Sequence, residues 1–229
     1  MGFEIWITSL NIHSGCVGGL EVTLRALWQG NARVGIIQET NITDGINTHY
    51  VAGYSVLEKE AESCHHGGIV VLWREEVGWQ VEGMSNFGPN LVRFLLTLGE
   101  RRWYFGGDYV LPNDVPAGHQ VDQELTEKPP GIENILMGDL NSKLENPRNE
   151  HEETILADHD LEDACRHFTS RRKFRGRGRR AWQMQQEGRQ VMGRGDYVVD
   201  MERGDFTNAG MREPRLHTDH RMIIVVIRK

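Results

Sequence analysis

Cysteine is scarce in this chain: Cys16, Cys64 and Cys165 are odd in number, far apart and without a C-x-x-C pair. That excludes a disulfide framework and a thiolate zinc site, and leaves three free thiols expected to be buried or half-buried. Long apolar runs are missing too. The longest, Gly67 to Trp73 and Met222 to Ile227, fall far short of the roughly 18 residues a membrane-spanning helix needs, so no membrane partner is expected. The first residues, Met1 to Trp6, carry neither the charged-then-apolar run of a secretory signal nor the Ser/Thr of a myristoylation site, which predicts an intracellular protein. Internal repeats are absent, low complexity is confined to one Arg/Gly stretch, and no composition shift marks a boundary. The 229 residues are therefore read as a single domain, 1–229.

What is present suits a packed core, since 38% of residues are hydrophobic against 26% charged, too apolar a balance for a disordered chain. The net charge of −7 conceals an asymmetry. Residues 166–180 hold eight Lys/Arg and no acid, which leaves 18 basic residues against 33 acidic ones elsewhere, or −15. Charge fields decay over about 8–10 Å in physiological salt, so a partner docking at this run feels the run and not the net charge. By itself such a run is ordinarily a solvated loop.

Along the chain, Phe3 to Asn11 reads as a strand, and Leu20, Leu24, Leu27 and Trp28 fall at helical spacing after Gly18-Gly19. Val34 to Gln38 is a short apolar strand. Gly67 to Trp73, Trp79 to Gly83, Leu91 to Leu98 and Arg102 to Tyr109 suggest consecutive antiparallel strands. A weak helix is expected near Val121 to Glu127, a strand at Ile132 to Met137, a helix over Glu150 to Cys165, and strands near Arg180 to Met184, Gly195 to Asp200 and Met222 to Ile227. Strands 67–109 lack crossover helices, which favours an α/β layered sandwich over a doubly wound sheet. His65-His66 could suggest a metal, but adjacent side chains in a strand face opposite ways, so they read as loop residues.

Polar residues cluster where the chain leaves an apolar run, the place where a rigid scaffold presents functional groups. These are Asn11, Glu39, Tyr109, Asp139, Asn141, Asp196, Asp219 and His220. Singly, each has an ordinary structural explanation: a turn Asn, a helix N-terminal acid, a strand-edge charge, a surface His. As an ordered set they carry more. Strand-ending Asn11, then Gln38-Glu39-Thr40, Gly107-Asp108-Tyr109 ahead of Pro112-Asn113, Gly138-Asp139-Leu140-Asn141, Gly195-Asp196-Tyr197 and Thr218-Asp219-His220-Arg221 span nearly the whole chain.

This ordered set resembles the endonuclease/exonuclease/phosphatase superfamily, and within it the apurinic-endonuclease-type domain of non-LTR (LINE-type) retrotransposons. The resemblance implies an α/β fold: a four-layered α/β/β/α sandwich of two packed mixed sheets flanked by helices, DNase I-like. It also implies a metal-dependent phosphodiester hydrolase using Mg²⁺, with Mn²⁺ as a substitute. Hard oxygen ligands suit such a cation. Glu39 is the expected ligand, supported by Asn11 and Asp219. Asp139 would activate or orient the attacking water and Asn141 would hold that water and the phosphate. His220 would donate to a phosphate oxygen with Asp196 fixing its ring, and Tyr109 would contact the phosphate or leaving group.

DNA is then the expected partner, with Arg171, Arg172, Lys173, Arg175, Arg177, Arg179 and Arg180 as phosphate contacts, because the run lies between two motifs that converge in this superfamily. The retrotransposon likeness implies nicking of target DNA for target-primed reverse transcription, action in the nucleus, and fusion to a reverse transcriptase; the chain begins and ends close to its outer strands, as a domain cut from a polyprotein would. Alternatives are an abasic-site repair endonuclease, a small-phosphoester phosphatase, or an inert nucleic-acid-binding module. The last should have lost some of Asn11, Glu39, Asp139, Asn141 and His220, and all are present. Three positions depart from the usual pattern: Ala181 stands before Trp182 and Gly193 before Arg194 where hydroxyl residues are common, and Thr218 replaces Ser. Each lost hydroxyl would weaken substrate contact by about 0.5–1.5 kcal/mol, less than a missing metal ligand would.

The Arg run gives the first testable prediction. Replacing Arg175, Arg177, Arg179 and Arg180 with Ala should weaken binding almost equally for unrelated duplexes and flatten the slope of log K against log[salt] by roughly 3, as expected for three or four lost phosphate contacts. Fluorescence anisotropy over a salt series checks it, and an unchanged slope identifies a solvated loop.

Overall fold

The computed structural model describes residues 4–12, 17–43, 53–75, 78–83, 90–110, 115–139, 158–159, 162–163, 182–186, 189–193, 196–200, 206–212 and 222–228. Near its centre each of two six-stranded sheets holds one parallel pair of strands. In the first sheet β1 (Glu4–Asn11) leads through α1 (Val17–Gln29) into β2 (Val34–Gln38), which runs parallel to it. In the second, β7 (Arg101–Tyr109) leads through α2 (Val115–Thr126) into β8 (Glu133–Asp139), again parallel. Parallel neighbours need a crossover, and in both units a helix supplies it.

Antiparallel strands complete each sheet. With β3 (Tyr54–Lys59), β4 (Ile69–Arg74), β13 (Phe206–Arg212) and β14 (Met222–Arg228), the first has the order β13-β14-β1-β2-β4-β3. With β5 (Gln80–Gly83), β6 (Leu91–Leu98), β9 (Glu162–Asp163) and β12 (Asp196–Asp200), the second runs β5-β6-β7-β8-β12-β9. A separate hairpin joins β10 (Trp182–Gln186) to β11 (Arg189–Gly193).

Side-chain alternation shows how the layers stack. Ile5 and Ile7 of β1, Ile36 of β2 and Val71 of β4 share one core with Phe94 and Leu96 of β6, Phe105 of β7 and Met137 of β8, so the sheets pack face to face. The alternate residues of the first sheet, Leu10, Ile37, Val70 and Leu72, pack instead with Leu20 and Leu27 of α1. On the outer face of the second sheet Arg93 of β6 pairs with Glu124 of α2. The order is helix, sheet, sheet, helix, the expected four-layered DNase I-like sandwich. Because both faces of the central strands are covered, β2 and β4 are almost continuously apolar and buried.

Local signals explain the junctions. α1 stops where Asn31 takes φ 59° and the amides of Asn31 and Ala32 donate to the Trp28 and Leu27 carbonyls, a left-handed C-terminal cap. Trp28, half exposed at that end, lies under the Arg74 guanidinium, 4.2 Å from the ring centroid.

Several expectations are corrected. Cys64 is exposed, on a turn next to the exposed His65 and His66; Cys16 and Cys165 lie outside the described residues. The helix expected over Glu150 to Cys165 does not reach Cys165: Asp158 is helical, but Glu162–Asp163 pair as strand β9 with Asp200 and Val199. There the open sheet edge offers backbone partners that override helical spacing. The strand 67–73 does not continue the antiparallel set at 79–109, since β4 sits in the other sheet between β2 and β3. Strands β3, β11 and β13 carry no clear alternation and were not legible in the sequence; β3 and β13 are the two edges of the first sheet.

One glycine is fixed by contact. Gly138 pairs with Asp108 across β7 and β8, and a Cβ there would fall 1.9 Å from the Asp108 carbonyl oxygen. Gly138→Ala should lower the unfolding free energy by about 3 kcal/mol or more, at the upper end of overpacking costs because the obstacle is backbone. Urea denaturation measures it.

Candidate active site

The C-terminal ends of the two parallel pairs meet across the sandwich. On the first sheet Asn11 is the last residue of β1, in register with Gln38, and Glu39 follows at once. On the second, Tyr109 ends β7 in register with Asp139, which ends β8. Two side-chain hydrogen bonds join the sheets here. Asn11 Nδ2 donates to Asp139 Oδ2 at 2.9 Å, and the Tyr109 hydroxyl donates to Glu39 Oε1. All four side chains are buried, Asp139 completely.

The backbone around them is tightly specified. The Ile12 amide donates to the Gln38 carbonyl at 3.1 Å, the Val110 amide to Asp139 at 2.9 Å, and the Tyr109 amide to Asn90 at 2.8 Å. Glu39 sits at φ 51° and Asn41 at φ 53°, left-handed conformations that cost a non-glycine residue of order 1 kcal/mol or more each. Backbone bonds hold this turn: the Thr40 and Asn41 amides donate to the Gly68 and Gly67 carbonyls. The strained turn swings the Glu39 carboxylate off the alternation of β2 and toward Tyr109.

Burial, the hydrogen bond to Glu39 and the negative charges of Glu39 and Asp139 together push the Tyr109 phenol far above its ordinary value near 10. Two carboxylates thus act on one phenol, and the site is anionic. Around Glu39, Gln38 Oε1 and Thr40 Oγ1 are buried oxygens without a hydrogen-bond partner among the described residues. A hard divalent cation fits this donor chemistry: carboxylate, amide and hydroxyl oxygens, with no sulfur or imidazole. Among the described residues no group of three or more His, Cys, Asp or Glu converges, so amide oxygen or the residues beyond would complete a ligand shell.

Of the residues expected from the sequence, Asn11, Glu39, Tyr109 and Asp139 come together. Asp196 is placed by its backbone, directly opposite Asp139 where β12 pairs with β8. Asn141, Asp219, His220 and the basic residues Arg171, Arg172, Lys173, Arg175, Arg177, Arg179 and Arg180 lie outside the described residues, as do the side chains of Asp196 and Trp182. Residues to which sequence reasoning gave no role also build the site. Gln38 Nε2 donates to Ser9 Oγ at 2.9 Å, bridging β1 and β2 just behind Asn11 and Glu39. Asn90 holds the Tyr109 amide. A polar residue inside an apolar strand, as Ser9 and Gln38 are, was the available signal.

The fold is one shared with solved nucleases and a solved endonuclease/exonuclease/phosphatase family protein. Among solved structures, the AP endonuclease LMAP from Leishmania major matches with a TM-score of 0.76 at 13% identity, over 99% of this chain and 88% of that one. The endonuclease domain of TRAS1, a telomere-specific non-LTR retrotransposon, matches with a TM-score of 0.73 at 14% identity over 97% and 98%. An endonuclease/exonuclease/phosphatase family protein from Leptotrichia buccalis gives 0.68 at 14% over 96% and 98%. No family model and no curated protein matches the sequence.

The raised Tyr109 phenol has a sign that can be tested. Below about pH 10 both folded and unfolded states keep the proton, and the stabilisation is complete; above it only the unfolded state releases the proton, so stability falls as pH rises. Relative to Tyr109→Phe, the wild type should lose up to about 1.4 kcal/mol of unfolding free energy per pH unit above 10. Paired urea titrations between pH 9 and 11 measure the difference.

Proposed function

We propose that this chain is a Mg²⁺-dependent phosphodiesterase acting on DNA, an endonuclease that nicks one strand and leaves a 3′-hydroxyl for target-primed reverse transcription, with the nucleus as its place of action. The observation that carries the reading is the meeting of Asn11, Glu39, Tyr109 and Asp139 at one end of the sandwich, each delivered by a different central strand or the turn after it. Structural decoration does not need four buried polar groups in one place; phosphoester hydrolysis needs a base, a cation site and anion-stabilising donors together.

Glu39 would hold the cation, with Asn11 and Asp219 beside it, and Mn²⁺ would serve in its place. Bound there, the cation supplies positive charge to polarise the phosphoryl oxygen and stabilise the leaving alkoxide. The chain's own residues do the rest. Asp139 accepts the proton of the attacking water while Asn11 Nδ2, donating to one of its oxygens, fixes its orientation. Asn141, two residues on, would hold that water and the phosphate. Tyr109 keeps its proton through the working pH range; that one proton steadies Glu39 here and would be switched to the phosphate or leaving group in the reaction. His220, oriented by Asp196, would donate to a phosphate oxygen. The 166–180 run favours a polymeric nucleic acid over a small phosphoester, and the reverse transcriptase would be encoded on the same polyprotein.

Glu39→Ala and Asp139→Ala should each abolish nicking of supercoiled plasmid in Mg²⁺, and EDTA should do the same to the wild type, with the circular dichroism of both variants unchanged. Near-wild-type nicking by either variant removes that residue from the role given to it.

A further inference from the structure

Behind Tyr109, on the opposite face of the same strand, lies a fully buried ionic cluster for which the proposed chemistry has no direct use. Asp108 precedes Tyr109, so its side chain points away from the inter-sheet core and toward α2. There it grips Arg93 of β6 with both oxygens: Nη1 to Oδ1, and Nη2 to Oδ2 at 3.0 Å. Arg93 Nη2 also reaches Glu124 Oε2 of α2 at 2.5 Å. All three side chains have no solvent exposure.

The sequence makes room for this grip. Arg93 is in register with Gly106, where a Cβ would fall 2.4 Å from Nη1 and 2.6 Å from Cζ. The guanidinium therefore lies flat across Gly106, held from one side by the next outward residue of the same strand. Burial opposes the Arg93 charge, but Asp108 and Glu124 outweigh it and hold the guanidinium protonated. Packing an apolar trio here would be neutral or stabilising, since desolvating charges generally offsets what their attraction returns. Stability alone is thus a weak reason for the cluster, and its position one residue from Tyr109 is a better one.

We propose that the Arg93–Asp108 grip, tied to α2 through Glu124, positions the end of β7 so that the Tyr109 hydroxyl stays on Glu39. The device rests on the functional reading above in one respect only, that Tyr109 serves the reaction. Arg93, Asp108 and Glu124 are positioning residues that touch no substrate. A two-pronged guanidinium–carboxylate contact fixes direction as well as distance, and the strand passes that constraint on, because rotation of Asp108 about the strand axis carries Tyr109 with it. Tyr104, on the same outward face of β7, and Glu127, in the turn just after α2, are the other titratable groups in the field of the cluster.

The test is a double-mutant cycle on plasmid nicking. Asp108→Asn keeps the shape and leaves Glu124 to balance Arg93. It should lower kcat about tenfold with KM within about twofold, and in a Tyr109→Phe background should change kcat by less than about twofold, the signature of residues acting as one unit. Arg93→Lys, which keeps the charge and loses the fork, should behave alike and serves if Asp108→Asn does not fold. Effects that multiply independently of Tyr109→Phe overturn the proposal. If Tyr109→Phe alone nicks at the wild-type rate, the role of Tyr109 in the reaction fails separately. Positioning is then read without activity, from the ¹³Cζ resonance of labelled tyrosine at neutral pH: the Tyr109 signal should move toward that of a solvent-exposed tyrosine in Asp108→Asn, and an unchanged resonance overturns the proposal.

Discussion

Burying carboxylates at one end of a β-sandwich is costly unless they satisfy other polar groups there, and that constraint organises this molecule. Asp139 would cost several kcal/mol if stranded without a donor. It receives one from Asn11, 128 residues away in sequence and in the other sheet. Glu39 receives its donor from Tyr109 in the same crossed manner. The two bonds are reciprocal between sheets, so neither sheet can slide against the other without exposing both carboxylates to an apolar surround. A slip of one residue in the β1–β2 or β7–β8 register would turn the active side chains to the wrong face.

The architecture that delivers these residues is the same unit used twice. Each sheet places a strand-helix-strand unit near its centre, and each unit contributes two polar groups at or just after its strand ends. Strand ends are rigid because the ladder continues behind them, yet open because it stops there. The close fit of Gly138 against Asp108 shows how little slack remains. Around this frame β4 and β6 add apolar surface to the shared core without contributing to the four-residue cluster.

Strain and charge are concentrated in the same place. The left-handed turn at Glu39 and Asn41, the anionic pair of carboxylates and the phenol held protonated far into the alkaline range meet at the same end of the sandwich. Such features persist where the surrounding structure over-determines them. Here the over-determination comes from backbone bonds to Gly67, Gly68, Asn90 and Gln38, and on the far side of β7 from the Arg93–Asp108–Glu124 cluster.

The order of the motifs, the sandwich class, most of the strands at the heart of both sheets and the four clustered residues were legible in the chain itself. Apolar runs that end in Asn, Glu, Tyr or Asp announce a buried strand meeting a polar place, and that information is local. What the sequence could not carry was non-local. It did not separate β4 from β6 and β7 into different sheets, because a strand's side-chain pattern does not name its neighbour. It did not show the edge strands β3 and β13, whose sequences carry no clear alternation, nor the two-residue β9, which exists because an open edge of β12 was there to pair with. Asp108 read as part of a motif leading to Tyr109. Only the folded chain decided that it faces the other way, into Arg93 and Glu124, because the partners of a buried charge are chosen by which elements pack together and not by distance along the chain.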